Sequence, residues 1–393
     1  MVYLFQFGGD IWSNILWFFI VMAFFAAYPK LMVYQMLLKL ENAAIMIEGL
    51  SSKAKNTVIK KITKIPKKEL IQKINNFLEF FTIEPVNLDP YGIIKKIEYI
   101  SNLSEKRFKV FVKEIVPKFD EEEQANLSMG LSGAISLNQV AKIVRHYVET
   151  VRKTKNLQYG MILEMQLPLI ERISKSLLKG TECLTNGWPI GDSAGSLVVA
   201  KMIGNNKTKE IEEDVVATNK KIKGRPVIIM KAKGPGGRLG KLGKAVEKIV
   251  KNNKISKIIT IDAAAKLEGE KTGIVAEGVG VAIGGIGVDR AYIENLAVKE
   301  EIPLDSIMVK MSQEEAIEPI ADAILKAVPR TIEVVENDIE KSRGKMLIVG
   351  VGNSSGIGNN AKAADRAEEQ ARKVLRIMKT REEKEKKGFF NRF

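Results

Sequence analysis

The chain has 393 residues, 45% of them hydrophobic and 28% charged, and its 62 Lys and Arg outnumber 47 Asp and Glu for a net charge of +15. Those proportions exclude a wholly disordered chain, and the length suffices for two or three domains. A single cysteine, Cys183, excludes an intrachain disulfide and a thiolate zinc cluster, and a single histidine, His146, leaves any chemistry to Asp, Glu, Lys, Ser and Tyr.

Ile11 to Tyr28 is an uncharged apolar run of roughly 27 Å at the helical rise, close to the thickness of a bilayer's hydrocarbon core. Trp12 and Tyr28 stand at its ends, where amphipathic rings prefer the interface. A signal peptide fits poorly, because no Lys or Arg precedes the run and Ala26-Ala27 lacks a small residue at the −3 position. Lys30, Lys39, Lys53, Lys55, Lys60 and Lys61 all follow it. The positive-inside rule therefore puts the N-terminus outside and the main body in the cytoplasm. Leu31 to Leu40 is too short to span again and continues the helix or lies along the membrane surface.

Residues 1–40 thus read as anchor and juxtamembrane helix, and 41–184 as a helical stalk or bundle. Apolar residues recur at helical spacing in Leu70-Ile71-Ile74-Phe77-Leu78-Phe81 and in Phe108-Phe111-Val112-Ile115. Pro66, Pro85, Pro90 and Pro117 punctuate the segments, with a linker from Glu84 to Pro90, and Asp120 to Glu123 opens a helix.

From about residue 185 to 380 glycine and β-branched residues become frequent. Ile211–Ile222 and Pro226–Ala232 read as a hairpin turning at Lys223-Gly224. Then follow a helix over Lys241–Val250, strands over Lys257–Asp262 and Ser306–Lys310, helices over Gln313–Lys326 and Thr331–Glu340, a strand over Met346–Val351 and a helix over Ala361–Lys379. Strands alternating with helices predict an α/β fold with a largely parallel sheet and Gly-rich strand-to-helix loops, behind a helical region and one transmembrane helix. Residues 381–393 read as a frayed charged tail whose Phe389-Phe390 could touch the membrane.

Four segments carry candidate chemistry. Gly191-Asp192-Ser193-Ala194-Gly195 matches the nucleophile-elbow pattern of hormone-sensitive-lipase-like hydrolases, but Trp188-Pro189 precedes it instead of a strand, and no histidine follows His146. It reads as a turn before a helix starting near Ser196. Gly234, Gly236, Gly237, Arg238 and Lys241, with Lys233, Gly240 and Lys244, form a basic glycine loop that fails the P-loop spacing yet suits an anion. Asp262 ends a strand, and Glu268, Glu270, Lys271 and Glu277 follow in a glycine-rich loop reaching Arg290. Such carboxylates suit acid–base work or Mg²⁺. Gly352, Asn353, Ser354, Ser355, Gly356 and Gly358 form a strand-to-helix turn resembling that of short-chain dehydrogenases and suited to a phosphate. Those enzymes need a Tyr-x-x-x-Lys pair downstream of the turn, and no tyrosine follows here.

The order of GDSAG, KAKGPGGRLGK, IDAAAKLEGEKTG, EGVGVAIGGIG and GVGNSSGIGN behind one N-terminal span resembles a family of archaeal membrane-anchored proteins classed as a domain of unknown function. The resemblance covers nearly the whole chain and implies no activity, cofactor or partner. From the residues themselves, the first expectation is a membrane-anchored protein that binds an anionic, nucleotide- or phosphate-like ligand through its glycine loops, which meet at one sheet edge. The alternatives are a carboxylate- or Mg²⁺-dependent hydrolase or transferase using Asp262 and neighbouring Glu, and a non-catalytic membrane adaptor. Lysines scattered among glutamates, without interleaved Arg and aromatics, favour anionic lipid headgroups over nucleic acid as partner. A homo-oligomer is left open.

Overall fold

The computed structural model describes residues 11–83, 85, 92–281 and 287–390. It divides into two compact units, residues 1–51 with 138–174 and residues 52–137 with 175–393. Five helices come first: α1 (Ile11–Ile62), α2 (Lys68–Phe77), α3 (Ile93–Ile115), α4 (Glu121–Thr154) and α5 (Leu157–Asn186).

The first unit is a helical bundle. Its α1 segment runs straight on from the apolar run, so Leu31–Leu40 continues the helix. Ile15 to Phe25 stay exposed, whereas Met36, Leu40, Ala43, Ala44 and Ile47 are buried at spacings of three and four, the stripe a bundle helix needs. Val144, Val148 and Val151 of α4 and Leu163 and Leu167 of α5 supply buried partners. Arg145 ties the bundle polar-side, donating to both oxygens of Glu48 at 2.7 and 3.0 Å and to Glu41 at 2.7 Å.

In the second unit Asp120 caps α4: its carboxylate accepts from Glu123 N–H at 2.8 Å, and the Glu123 side chain reaches back to Asp120 N–H. Phe77 of α2 stacks on Phe111 of α3 with ring centroids 3.8 Å apart, so the two phenylalanine stripes read in the sequence meet each other. Glu84 and residues 86–90 of the expected linker lie outside the described residues.

The α/β part continues with a 3-10 turn (Gly191–Ser193), α6 (Ala194–Ile203), β1 (Lys209–Glu212), β2 (Val215–Ile222), β3 (Arg225–Ala232), α7 (Leu242–Asn252), β4 (Ile255–Ala265), β5 (Val275–Val279), α8 (Val288–Lys299), β6 (Leu304–Met311), α9 (Gln313–Ile317), α10 (Asp322–Lys341), β7 (Lys345–Gly350) and α11 (Ala361–Phe390). The sheet of described strands has the order β1-β2-β3-β7-β4-β6-β5. Its middle four, β3, β7, β4 and β6, are parallel, and β1, β2 and β5 pair antiparallel at the edges. The expected largely parallel α/β sheet is present. One face packs on α6, α10 and α11 through Val198, Ile229, Ile261, Ile324 and Ala367. The other packs on α7 and α8 through Ile258, Val349, Val246 and Ile293.

Several expected elements differ. The first arm of the hairpin breaks at Asp214, whose φ is +58°, giving a three-stranded meander; Lys223 and Gly224, both at positive φ, make the expected tight turn. The helix expected over Gln313–Lys326 stops at Ile317, because residues 318–320 pair with the backbone of Pro189 and Gly191. The chain then runs as one helix through Pro329, where Thr331 Oγ1 donates to the carbonyl of Ala327. The loop expected after Asp262 holds the rest of β4, strand β5 with Glu277, and the start of α8; residues 282–286 of it lie outside the described residues. The tail expected to fray is helical to Phe390.

Candidate functional site

Strand β4 alternates, so Ile259 and Ile261 enter one core while Ile258 enters the other. Asp262 shares the face of Ile258, toward α7 and α8, and lies at the carboxyl end of the sheet. It does not end its strand: β4 pairs with β6 for three further residues. Next to β4 lies β7, whose chain leaves toward α11 on one face, whereas β3 and β4 lead to α7 and α8 on the other. Neighbouring strands with connections to opposite faces open a crevice at their carboxyl ends.

That crevice is a cavity of about 360 Å³ whose lining includes Asp192, Asp262, Asp289, Glu98, Lys241 and Tyr292. Asp192 arrives from the 3-10 turn. Close packing puts it there: a side chain at Gly195 would overlap the carbonyls of Ile261 and Val351, and one at Gly352 would overlap the carbonyl of Asp192. Gly352 has φ +101°, a conformation few other residues adopt, and it lets Asn353 N–H donate to Asp192 Oδ2 at 2.8 Å. The glycines of GDSAG and of the Gly352 turn thus bring a carboxylate and a strand end together.

Burial pushes the carboxyl of Asp192 up, opposed by the Asn353 N–H. Burial, and next the charge of Asp192, raise Asp262 well above the usual carboxylate range, with Ala263 N–H opposing. Burial also raises Asp289, against its bond from Gly243 N–H at 2.7 Å and the charge of Lys241. Glu98 behaves differently. Burial pulls its pKa upward, but Lys244 at 2.5 Å and the Tyr292 hydroxyl at 2.8 Å donate to it and hold it below the usual range. Lys241 donates to Asn102 Oδ1 and Glu105 Oε2, both at 2.6 Å. The cavity is therefore acidic, with two lysines held by carboxylates on its rim.

The basic loop and the Gly352 turn are interwoven. Ser354 Oγ donates toward the carbonyls of Lys233 and Gly236 at 2.8 and 2.7 Å, and Gly356 N–H donates to Pro235 at 2.8 Å. Gly234 exchanges two bonds with the Asn359 amide. The donors expected for an anion face the chain's own groups: Gly236 N–H and Arg238 both donate to Glu122, the latter at 2.5 Å, Gly237 N–H donates to Asn126, and Arg238 Nε pairs with Asp214 at 3.1 Å. Ser355 N–H donates to Asn353 Oδ1, and its hydroxyl to the carbonyl of Trp188. Gly356 and Gly358 lie against Pro189 and Ala363.

Of the residues grouped with Asp262 in the sequence, Glu268 and Lys271 are exposed, and Glu270 pairs with Lys310 of β6 at 2.5 Å. They do not line the cavity. Among the described residues no three His, Cys, Asp or Glu side chains are grouped to hold a metal ion. The residues missed in the sequence are Asp192, Asp289, Tyr292 and Glu98. Asp192 stood in a motif read for its serine; that serine is buried, and its hydroxyl makes no hydrogen bond within the described structure.

Residues 14–187 match the family described as protein of unknown function (DUF1512) N-terminal domain, and residues 190–358 match the domain of unknown function (DUF1512) C-terminal. The chain belongs to the DUF1512 family. The two matches meet where α5 ends at Asn186 and the Asp192 turn begins, so the cavity carboxylates Asp192, Asp262 and Asp289 belong to the DUF1512 C-terminal domain, and Glu98 to the N-terminal one. No curated protein and no solved structure matches the chain.

Proposed function

We propose that this DUF1512 protein is a membrane-anchored hydrolase whose acid–base pair, Asp192 and Asp262, cleaves an acyl bond of a substrate admitted to the cavity. One observation carries the reading. Two carboxyls, Asp262 buried and Asp192 half-buried, line the same cavity, and the charge of Asp192 opposes ionisation of Asp262. Such a pair favours holding one proton between two carboxyls, leaving one base and one acid in the same cavity. The ionised member takes a proton from water, whose oxygen adds to the substrate carbonyl while the protonated member donates to the carbonyl oxygen. On collapse the carbonyl re-forms and its proton returns to the acid, while the bond to the leaving group breaks and that group takes the proton the base had drawn from water.

An anionic ligand at the glycine loops has less support from the geometry, since Glu122 and Asp192 occupy the donors that would hold it. The acidic cavity lining also favours a neutral or cationic substrate over a phosphate. α1 has a window of mean hydropathy 1.9, none of it buried, and is long and apolar enough to cross a membrane. With the lysine excess that follows its apolar run, this supports a single-pass protein whose main body is cytoplasmic.

The test is cleavage of a mixed peptide library, read by mass spectrometry as new termini, and of a panel of simple esters. Wild type should turn over one set, and Asp192→Asn and Asp262→Asn should each lose roughly 10²–10⁴-fold while remaining folded. Cleavage that survives both substitutions would refute the pair.

A further inference from the structure

A second cavity, of about 550 Å³, lies where α3 and the start of α4 face the Arg238 loop. That volume is within the range of small-molecule sites, roughly 300–1,000 Å³. Phe108, Val112, Ala125, Met129 and Leu239 supply apolar surface to it. The helical side is firm: Phe108 meets the rings of Phe77 and Phe80 edge-on, with centroids 5.0 and 5.6 Å apart, and Val112 is buried. The charges around the cavity are matched among themselves. Lys109 pairs with Glu213 at 2.7 Å, Arg238 with Asp214 at 3.1 Å and Lys241 with Glu105 at 2.6 Å. Of the others, Lys113 and Glu121 are exposed and opposite in sign. An ionic group would have to displace partners already in place, whereas an apolar group need only displace water.

This cavity and the acidic one share a wall. Glu105, Leu239, Gly240 and Lys241 line both, and Leu239 is 55% exposed. The backbone is pinned at this ridge. Gly240 has φ +70°, and a side chain there would come within 2.6 Å of the Asp214 carbonyl. Next to it, Lys241 N–H donates to the carbonyl of Glu213 at 3.2 Å. An apolar chain running over Leu239 would join the cavity of Asp192 and Asp262 to the one between the helices and the loop.

We propose that the 550 Å³ cavity is a specificity pocket that holds an apolar acyl chain, with Leu239 as the contact over which the chain passes. For its chemistry this rests on the hydrolase reading: the acyl carbonyl lies beside Asp192 and Asp262, and the chain extends away from them past Leu239. The smaller cavity, about 360 Å³, takes the scissile bond and the leaving group. Substrates are then selected by the length of an uncharged chain.

The full chain in phosphatidylcholine nanodiscs tests this with and without turnover. For binding alone, the N-methyl amide of hexanoic acid, carrying a diazirine on its chain, is photolysed and its insertion sites are mapped by mass spectrometry. It should mark the α3 and α4 segments around Phe108 and Met129. Ser128 lines the cavity, so Ser128→Trp should fill it and cut the marking by about tenfold or more. Leu239→Asp, at an exposed position, should do the same should the tryptophan variant not fold. For turnover, wild type should prefer p-nitrophenyl hexanoate to the acetate by roughly 10²-fold in kcat/KM. Either variant should lower that ratio by about tenfold, chiefly through KM. Marking elsewhere, or marking that survives both substitutions, would overturn the pocket whether or not esters are cleaved. Cleavage that needs Asp262 but ignores chain length would also sink it, and leave the acid–base pair standing. Marking in the cavity with no ester cleaved would defeat the hydrolase reading and keep the apolar site.

Discussion

An ionised Asp262 is opposed by burial and by Asp192, so the folded protein prefers it protonated. A carboxyl whose folded pKa lies above its unfolded value contributes stability at pH below the unfolded value, and loses it as pH rises through the folded one. Asp262→Asn and Asp192→Asn should therefore melt close to wild type near pH 3.5 and above it at pH 7, each kcal/mol being worth roughly 2–4 °C in a domain of this size. Thermal melts at the two pH values check this; a variant that gains nothing at pH 7 would mean that the carboxyls are not desolvated. Lys231 gives the complementary case. It is fully buried, donates to the carbonyl of Ala232 at 2.6 Å and to Asn359 Oδ1 at 3.2 Å, and burial lowers its pKa to about 7. Its folded value lies below the unfolded one, so wild type should gain stability relative to Lys231→Met as pH rises from 7 toward 10.5, on the order of a few kcal/mol in all. Denaturant melts across that range read the difference.

At the scale of elements, the glycine loops act by contact. Gly356 has φ +72°, and a side chain there would come within 2.7 Å of the Pro189 ring and 2.9 Å of the Gly187 carbonyl. Gly356→Val should therefore separate the turn from the Trp188–Pro189 segment and lower stability by about 1–3 kcal/mol, more than it alters any ligand. Arg238 is 8% exposed and joins Glu122, Asp214 and the carbonyl of Glu121. Its replacement by Ala should cost about 1.5–3 kcal/mol in urea melts, through loss of the bond to Glu122. Both effects belong to the interwoven loops, so a double variant should lose less than the sum. The glycine loops themselves were legible in the sequence, as were their places after β3 and β7, because a strand followed by glycine and a helix is a local pattern. Their partners were not. Glu122 lies more than a hundred residues before Gly236, and no periodicity announces that a carboxylate from another helix will fill the cradle.

For the whole molecule, sidedness is the decisive measurement. Ser51 is buried against Asn138, so a cysteine there would report burial; Lys53, two residues further along the same helix, is exposed and serves instead. Lys53→Cys, with Cys183 removed, should resist impermeant maleimide in intact cells and react after lysis, the outcome expected from the positive-inside rule applied to the lysines that follow the apolar run. Ready labelling of intact cells would reverse the orientation. Deleting residues before Lys30 should release the protein from membranes, and any fraction retained at low salt should leave in high salt, where headgroup attraction is screened.

The sequence by itself determined the apolar helix, the helical first half, the alternation of strands and helices and the glycine loops between them. Each of these is written in short-range periodicity and in residues whose backbone preferences are their own. Only the tertiary structure decided that Asp192 and Asp262 face one cavity, that Glu268 and Glu270 stand apart from them, and that Pro319 breaks a helix where Pro329 does not. Removal of a carboxyl from water, or pairing of a backbone segment with Gly191, depends on which distant residues pack there. Desolvation is a property of a place in the fold, and residue type alone does not carry it.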